Sequence, residues 1–500
     1  MSRDLELALL LASAVLLVAV GAVRLSTRLG VPSLLVYLAL GVAIGEAGLG
    51  IQFENASLTR TLGLAALVLI IAEGGLTGRW HSLRPVLPVS VALSTVGVAV
   101  SVAAVGAVVH YAFDLDWRLA LLFGAVLSST DAAAVFSTLR RLRLRRRLVA
   151  TLEAESGVND APAVLLVLLL TTAGLGAHPW WYELLLVVYE LVAGALVGAL
   201  VGWLGSVGLR RAALPAAGLY PLAAVGLTVL AYAAGSVAHA SGFLAVYVAG
   251  VVLGNARLPH RTAILGFADG LAWMAQIGLF VLLGLLASPG RLGSALLPAI
   301  VVGLVLVFLA RPLSVLISAT PFRVPWREQA FLSWAGLRGA VPIVLATIPL
   351  SVDPVGYAPL FDTVFVLVVV FTLIQAGTLP RVAARLRVTA PGEAAELYVE
   401  TAPLEHMRAD LLQLDVPPGS RLSGVYLDEL RLPVGAVVTL VLRNGSGFVP
   451  TLDTRLRTGD SLLIVATVDA RQAAERRLRA VSRRGRLARW FADEGTDQPS

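Results

Sequence analysis

The chain has 500 residues, 57% of them hydrophobic and 14% charged, and its mean hydropathy is +0.83. Soluble domains carry about 25% charged residues, so this composition excludes an ordinary soluble enzyme and points to a polytopic membrane protein. The formal net charge is +7, every basic residue is Arg, and there is no Cys; disulfides, zinc–thiolate centres and cysteine nucleophiles are therefore ruled out.

Thirteen stretches meet or approach the roughly 20 apolar residues that a membrane helix needs, at about 5–23, 31–47, 58–77, 86–111, 118–139, 149–175, 181–209, 215–239, 242–256, 262–287, 294–320, 328–350 and 358–380. The first lacks a basic leader and a small-residue cleavage site, so it reads as an uncleaved anchor. With the N-terminus outside, the loops assigned to the cytoplasm hold nineteen arginines: Arg24, Arg28, Arg79, Arg84, Arg140, Arg141, Arg143, Arg145, Arg146, Arg147, Arg210, Arg211, Arg257, Arg261, Arg323, Arg327, Arg381, Arg385 and Arg387. The opposite side holds four, Arg3, Arg60, Arg118 and Arg291. This bias supports an odd number of spans and a cytoplasmic C-terminus. The run "RRLRLRRR" from Arg140 to Arg147 is explained by topology and lipid contact, and nucleic acid is not a partner.

A charge at mid-bilayer costs about 2.5–3.5 kcal/mol on insertion scales, so ionisable groups inside spans are functional candidates. In chain order the strong ones are Glu73 in "LIIAEGGLTG", Asp131 in "SSTDAAAVF", Glu155 and Asp160 in "EAESGVNDAP", and Arg338 in "SWAGLRGAVPIVLA". Glu153, Glu190, Asp269 and Arg311 are weaker, read as lying near interfaces or at helix contacts. Glu153, Ser156 and Asp160 share one helical stripe, and Glu155, Asn159 and Pro162 share the next. Ser156 and Asp160 thus offer oxygen ligands on one side. A single carboxylate with hydroxyl and carbonyl oxygens suits a monovalent cation. Glu155 is read, with Arg338, as a structural ion pair. Ser128, Ser129, Thr130 and Asp131 bring N-cap chemistry to the middle of span 5. Glycines and Pro342 interrupt span 12. Each is fifth in a set of six spans, 1–6 and 8–13, which is the expected sign of a transporter built on inverted repeats.

Past about residue 390 the composition becomes mixed. "DLLQLDVPPGS", "GAVVTLVLRNGSGFVPTL" and "DSLLIVATVD" read as strands, with a hairpin at "RNGSG", and "ARQAAERRLRAV" as a closing helix. The fold class is therefore an all-α polytopic membrane protein with two discontinuous crossing helices, plus a small α+β cytoplasmic domain. The expected boundaries are 1–388 for the membrane domain, 395–482 for the cytoplasmic one and 483–500 for a disordered tail.

"SSTDAAAVFS", "EAESGVNDAPAVLL" and "WAGLRGAVPIVLA", in this order and spacing, resemble the bacterial cation/proton antiporter-1 family of NhaP type, over about residues 5–385. The resemblance implies a thirteen-helix homodimer in the bacterial plasma membrane. It implies Asp160 as the shared proton and cation carrier, with Ser156, Glu73 and the Thr130 carbonyl as further ligands. Asp131 and Asn159 would hold the crossing, and Glu155 would pair with Arg338. One departure is "TDAAA", where the pattern often reads T-D-P. Residues 419–467 resemble a TrkA C-terminal (RCK-C) domain, a regulator of potassium transport that sometimes binds small nucleotides. No G-x-G-x-x-G is present, so no NAD site and no cofactor is expected. The combination resembles the potassium/proton branch of the group.

An anionic Asp160 in an empty carrier is costly, and a proton, K⁺ or Na⁺ relieves the cost. One carboxylate then implies one-for-one exchange, and the Asn-Asp pair at 159–160 suits an electroneutral cycle. A Na⁺/H⁺ antiporter with little K⁺ activity is the alternative. Three other classes fit poorly. An intramembrane aspartyl protease on Asp131 and Asp160 lacks G-x-G-D and leaves Ser156 and Arg338 idle. A potassium channel lacks the T-V-G-Y-G ladder, since "VGYA" at Val355–Ala358 lies in a loop. A protein that only senses ions would need the C-terminal domain to dominate. The six His residues form no H-E-x-x-H or zinc set.

Overall fold

The computed structural model describes residues 3–29, 32–46, 48, 50, 53, 55–131, 144–172, 179–389, 399–404, 409–417, 419–443 and 446–484. The chain divides into two units, Met1–Thr389 and Ala390–Ser500. The first is helical. Its elements in chain order are α1 (Arg3–Leu29), α2 (Ser33–Ile44), α3 (Ala56–Thr77), α4 (Leu87–Phe113), α5 (Trp117–Val126), α6 (Arg146–Thr172), α7 (Trp180–Arg211), α8 (Leu219–Val237), α9 (Gly242–Asn255), α10 (Arg261–Leu286), α11 (Pro289–Phe322), α12 (Trp326–Trp334), α13 (Ala340–Val352) and α14 (Ala358–Leu386). Among the described residues, eight of these are long and apolar enough to cross a membrane, and α2, α5, α9, α13 and part of α1 are shorter apolar helices.

Local chemistry sets several ends. Asn55 caps α3 by accepting the Leu58 N–H at 2.8 Å, and Asp116 caps α5 by accepting the Arg118 N–H at 2.9 Å. α7 and α12 begin directly after Pro179 and Pro325. Pro162 lies inside α6. It removes the N–H that would have bonded the Val158 carbonyl, close to Asn159 and Asp160.

α13 is buried from Ala340 to Leu350 and forms the centre of the unit. Helices in a bilayer gain little from burying apolar surface against one another, so they associate by close packing of small residues. α3 meets α9 in this way: a Cβ on Gly250 would lie 3.0 Å from the Gly75 Cα. α7 faces outward, with Trp181, Leu184, Leu185, Leu196, Leu200 and Trp203 more than half exposed. An apolar face of that extent is stable in lipid and not in water.

Two π-helical turns, Leu93–Gly97 in α4 and Leu306–Ala310 in α11, interrupt otherwise regular helices. The first packs against the segment following the second, where Ser314 Oγ donates to the Gly97 carbonyl at 2.9 Å. π turns widen the helix by one residue and commonly sit beside functional sites.

The break expected in span 12 is present: α12 and α13 are separated by a non-helical stretch, Ala335–Gly339. In span 5, α5 stops at Val126 and no helix covers Leu127–Asp131; residues 132–143 lie outside the described residues.

The second unit holds an antiparallel five-stranded sheet, with order β1-β2-β5-β3-β4, built from β1 (Val399–Leu404), β2 (Ala409–Asp415), β3 (Ala436–Arg443), β4 (Ser446–Phe448) and β5 (Ser461–Thr467). Helix α15 (Val468–Arg484) follows. Alternate residues Leu462, Ile464 and Ala466 of β5 face a core with Leu412, Leu414 and Leu478. β1 was not expected; its sequence, "VETAPL", carries a Pro and little hydrophobic alternation, and its place beside β2 comes from pairing. The tail expected from residue 483 begins as helix to Arg484, and 485–500 lie outside the described residues. Asp460 is buried, which raises its pKa, but two bonds from the Arg443 guanidinium at 2.8 Å and one from the Arg457 N–H at 2.7 Å outweigh that effect. Its carboxyl is held below the usual range.

Candidate functional site

Unwound backbone inside a membrane carries groups that lipid cannot satisfy, and the structure shows where those of Leu127–Asp131 and Ala335–Gly339 go. The Asp131 N–H donates to the Leu337 carbonyl at 2.9 Å, so the two unwound stretches touch directly. Arg338 donates through Nε to the Leu127 carbonyl at 2.8 Å and through Nη1 to the Gly336 carbonyl at 2.6 Å. α14 supplies two more donors. Thr372 Oγ1 bonds the Arg338 carbonyl at 2.8 Å, and Gln375 Nε2 bonds the Trp334 carbonyl at 3.0 Å.

The charges also match the broken helix ends. The Arg338 guanidinium sits at the C-terminus of α5, where carbonyls leave partial negative charge. Asp131 lies at the N-terminus of α13, where free N–H groups leave positive charge. A Cβ built on Gly339, which precedes α13, would overlap the Asp131 carboxylate. Gly339→Ala is therefore expected to lower stability by about 1–3 kcal/mol through overpacking. Removing the obstructing carboxylate with Asp131→Ala in the same molecule should recover part of that loss. Unchanged thermal stability in Gly339→Ala would show that the two groups do not meet.

Against this crossing α6 presents its polar stripes. Asp160 is buried, and its Oδ1 accepts the Ser129 hydroxyl. Asn159 Nδ2 donates to Thr130 Oγ1 at 2.6 Å, while Asn159 Oδ1 is buried with no partner among the described residues. Asp131 and Asp160 lie near enough to interact electrostatically. Asp160, Asn159, Thr130 and Asp131 are thus brought together. Ser156 is half-buried on the same helix. Glu73, on α3, is half-buried, and its electrostatic neighbours are Asp269 of α10 and Glu153 of α6. Glu153 in turn faces Arg79.

The expected Glu155–Arg338 pair is corrected. Glu155 pairs in bidentate fashion with Arg311; the Nη2–Oε2 distance is 2.9 Å and both side chains are buried. Arg311 also donates to the Leu332 carbonyl at 3.3 Å. The physical reason is that Arg338 stands on unwound backbone, where bare carbonyls are its nearest acceptors. Arg311 follows the π turn of α11 and projects from a continuous helix onto α6. Its position well inside the apolar span 294–320 was the signal in the sequence. Ser129 was also missed as a partner of Asp160, although it stands in "SSTD". Thr372 and Gln375 carried no signal, because isolated polar residues in a long apolar helix are common.

The transmembrane family described as sodium/hydrogen exchanger matches residues 14–385, and the TrkA-C domain matches residues 411–479. The chain is 36% identical over 471 residues to the K(+)/H(+) antiporter NhaP of Alkalimonas amylolytica, covering 92% of this chain and 81% of that one. It is 35% identical over 477 residues to the K(+)/H(+) antiporter NhaP2 of Shewanella oneidensis, covering 94% and 83%. The Na(+)/H(+) antiporter ApNhaP of Aphanothece halophytica is 28% identical over 408 residues, covering 77% and 76%. In fold, the structure of the sodium proton antiporter MjNhaP1 from Methanocaldococcus jannaschii superposes with a TM-score of 0.67 at 22% identity, covering 77% of this chain and 99% of that one. The two unwound stretches in contact within the helical unit and the sheet unit that follows it agree with these matches: the chain belongs to the sodium/hydrogen exchanger family and carries a TrkA-C domain.

Proposed function

We propose that the protein exchanges one monovalent cation, K⁺ or Na⁺, for one proton by alternating access, with Asp160 as the shared carrier. One observation carries this reading. Among the described residues, the membrane unit buries four carboxylates: Glu155, Asp160, Glu328 and Asp362. Three are neutralised by arginine, through Glu155–Arg311, Glu328–Arg145 and Asp362–Arg291. Asp160 has the Ser129 hydroxyl and, among the described residues, no basic partner. An uncompensated buried charge is costly, so Asp160 needs a proton or a cation whenever the protein around it closes. Only loaded forms then move between the two sides, which couples the fluxes.

Ser156, Glu73 and the Thr130 carbonyl are proposed as further cation ligands. Asn159 and Asp131 are proposed to hold the crossing in shape. The π turns fall in spans 4 and 11, and the breaks in spans 5 and 12; both pairs occupy corresponding places in two sets of six. This supports thirteen spans arranged as inverted repeats; the arginine distribution supports an N-terminus outside, and the bacterial relatives support the inner membrane. The exposed apolar face of α7 supports contact with lipid or with a second copy in a homodimer. The TrkA-C unit is assigned regulation, with a small nucleotide as a candidate ligand. The relatives at 35–36% identity support K⁺.

The test is exchange in proteoliposomes, read with a pH-sensitive dye, with K⁺ and Na⁺ in turn. Imposing about 100 mV, worth about 2.3 kcal/mol per charge moved, should leave the equilibrium cation ratio unchanged. A ratio that shifts with the potential would overturn one-for-one exchange.

A further inference from the structure

The membrane unit ends at a built contact. Thr389 bridges Leu144 in antiparallel register. The Arg145 N–H donates to the Val388 carbonyl at 3.2 Å. Arg145 Nη2 donates to the Arg387 carbonyl at 3.4 Å, and Nη1 pairs with Glu328 Oε1 at 3.0 Å. The Glu328 side chain is 6% exposed, and Val388 is fully buried.

Arg145 therefore ties three elements at one point: the approach to α6, the first turn of α12, and the end of α14. Each leads to the proposed transport site. α6 carries Asp160 fifteen residues beyond Arg145, about 22 Å along a helix. α12 runs straight into the unwound Ala335–Gly339. α14 bears Thr372 and Gln375, which hold the carbonyls of that stretch. Thr389 is also the last residue before the chain passes to the second unit. Separating Thr389 from Leu144 withdraws the Val388 and Arg387 carbonyls that hold Arg145, and so loosens the half-exposed guanidinium that pairs with the buried Glu328.

Building on the exchange reading above, we propose that Arg145 and Glu328 are positioning residues, and that the clasp they form is the point through which the C-terminal unit sets the exchange rate. Closed, it holds α12 and its unwound continuation against α6. Open, it releases them. Neither residue touches the cation, so the effect falls on rate and not on affinity.

The experiment uses the full chain in proteoliposomes. Glu328→Gln should lower the rate at saturating cation about fivefold or more, in the usual range of couplings, with the apparent KM for K⁺ unchanged. A flexible glycine–serine insertion directly after Thr389 should produce the same loss, and combining the two should add nothing further. Reversing both charges, Arg145→Glu with Glu328→Arg, should restore the rate. If Glu328→Gln does not fold, a second route is open because the chain has no Cys. Leu144→Cys with Thr389→Cys, oxidised, should make exchange insensitive to the insertion, and reduction should restore sensitivity. Independent, additive losses, or an insertion effect that persists with the disulfide closed, would overturn the clasp. Absence of cation-dependent proton movement in the unaltered protein would instead overturn the exchange reading.

Discussion

Asp160→Asn is expected to abolish exchange while leaving membrane insertion and fold intact. The replacement keeps the side-chain shape and keeps an oxygen to accept the Ser129 hydroxyl. It removes the only buried carboxylate in the membrane unit, among the described residues, that lacks an arginine. It also removes a desolvated charge. Thermal stability in detergent should therefore be unchanged or higher, and cation-driven dye response should fall to that of empty liposomes. This pairing of effects separates a carrier from a structural acid. A structural acid loses stability when neutralised, and any loss of exchange then follows from misfolding. Retained exchange in a well-folded Asp160→Asn protein would remove Asp160 from its role.

Glu155→Gln and Arg311→Gln should show the opposite pattern. Both side chains are buried and share two hydrogen bonds. Removing one leaves the other charged and unpaired, at a cost of about 3–5 kcal/mol. The double replacement should recover a substantial part of either single loss, because no isolated charge remains. The coupling belongs to this pair: Glu155→Gln combined with Arg338→Gln should come closer to additive, since Arg338 is held by the Leu127 and Gly336 carbonyls. Thermal unfolding of the single and double variants forms the cycle. Strong coupling of Glu155 to Arg338, with none to Arg311, would contradict the observed pair.

Much of the fold was legible because a bilayer imposes a simple rule on sequence. Apolar length marks the stretches that become the long helices. The interruption at "GLRGAVP" was legible because glycines beside a proline cannot sustain a helix. Hydropathy reports depth in the membrane, however, and not the azimuth or partner of a side chain. That is why Glu155 was matched with the wrong arginine. Arg311 and Arg338 both lie in apolar spans, and only packing shows that one faces Glu155 while the other is occupied by carbonyls. The π turns left no trace, since one extra residue in a turn of Leu, Val and Ala does not change an apolar pattern. Ser129 was visible as a capping type, but its bond to Asp160 spans 31 positions. β1 was missed for a similar reason: its pairing with β2 sets it, not its own propensity.

The central claim is that one carboxylate carries either a proton or a cation, and competition tests it most directly. At low pH the proton excludes the cation from Asp160; at high pH too few protons remain for the return step. Exchange should therefore be bell-shaped in pH. Well below the pKa of the site, the apparent cation affinity should weaken about tenfold per pH unit, because one proton is displaced per cation bound. The measurement is dye-reported exchange in liposomes at several K⁺ and Na⁺ concentrations, from acid to alkaline pH, with the potential clamped. The account predicts that raising the cation concentration moves the acidic limb to lower pH. An acidic limb that stays fixed while the cation varies widely would mean that the two ions do not share Asp160.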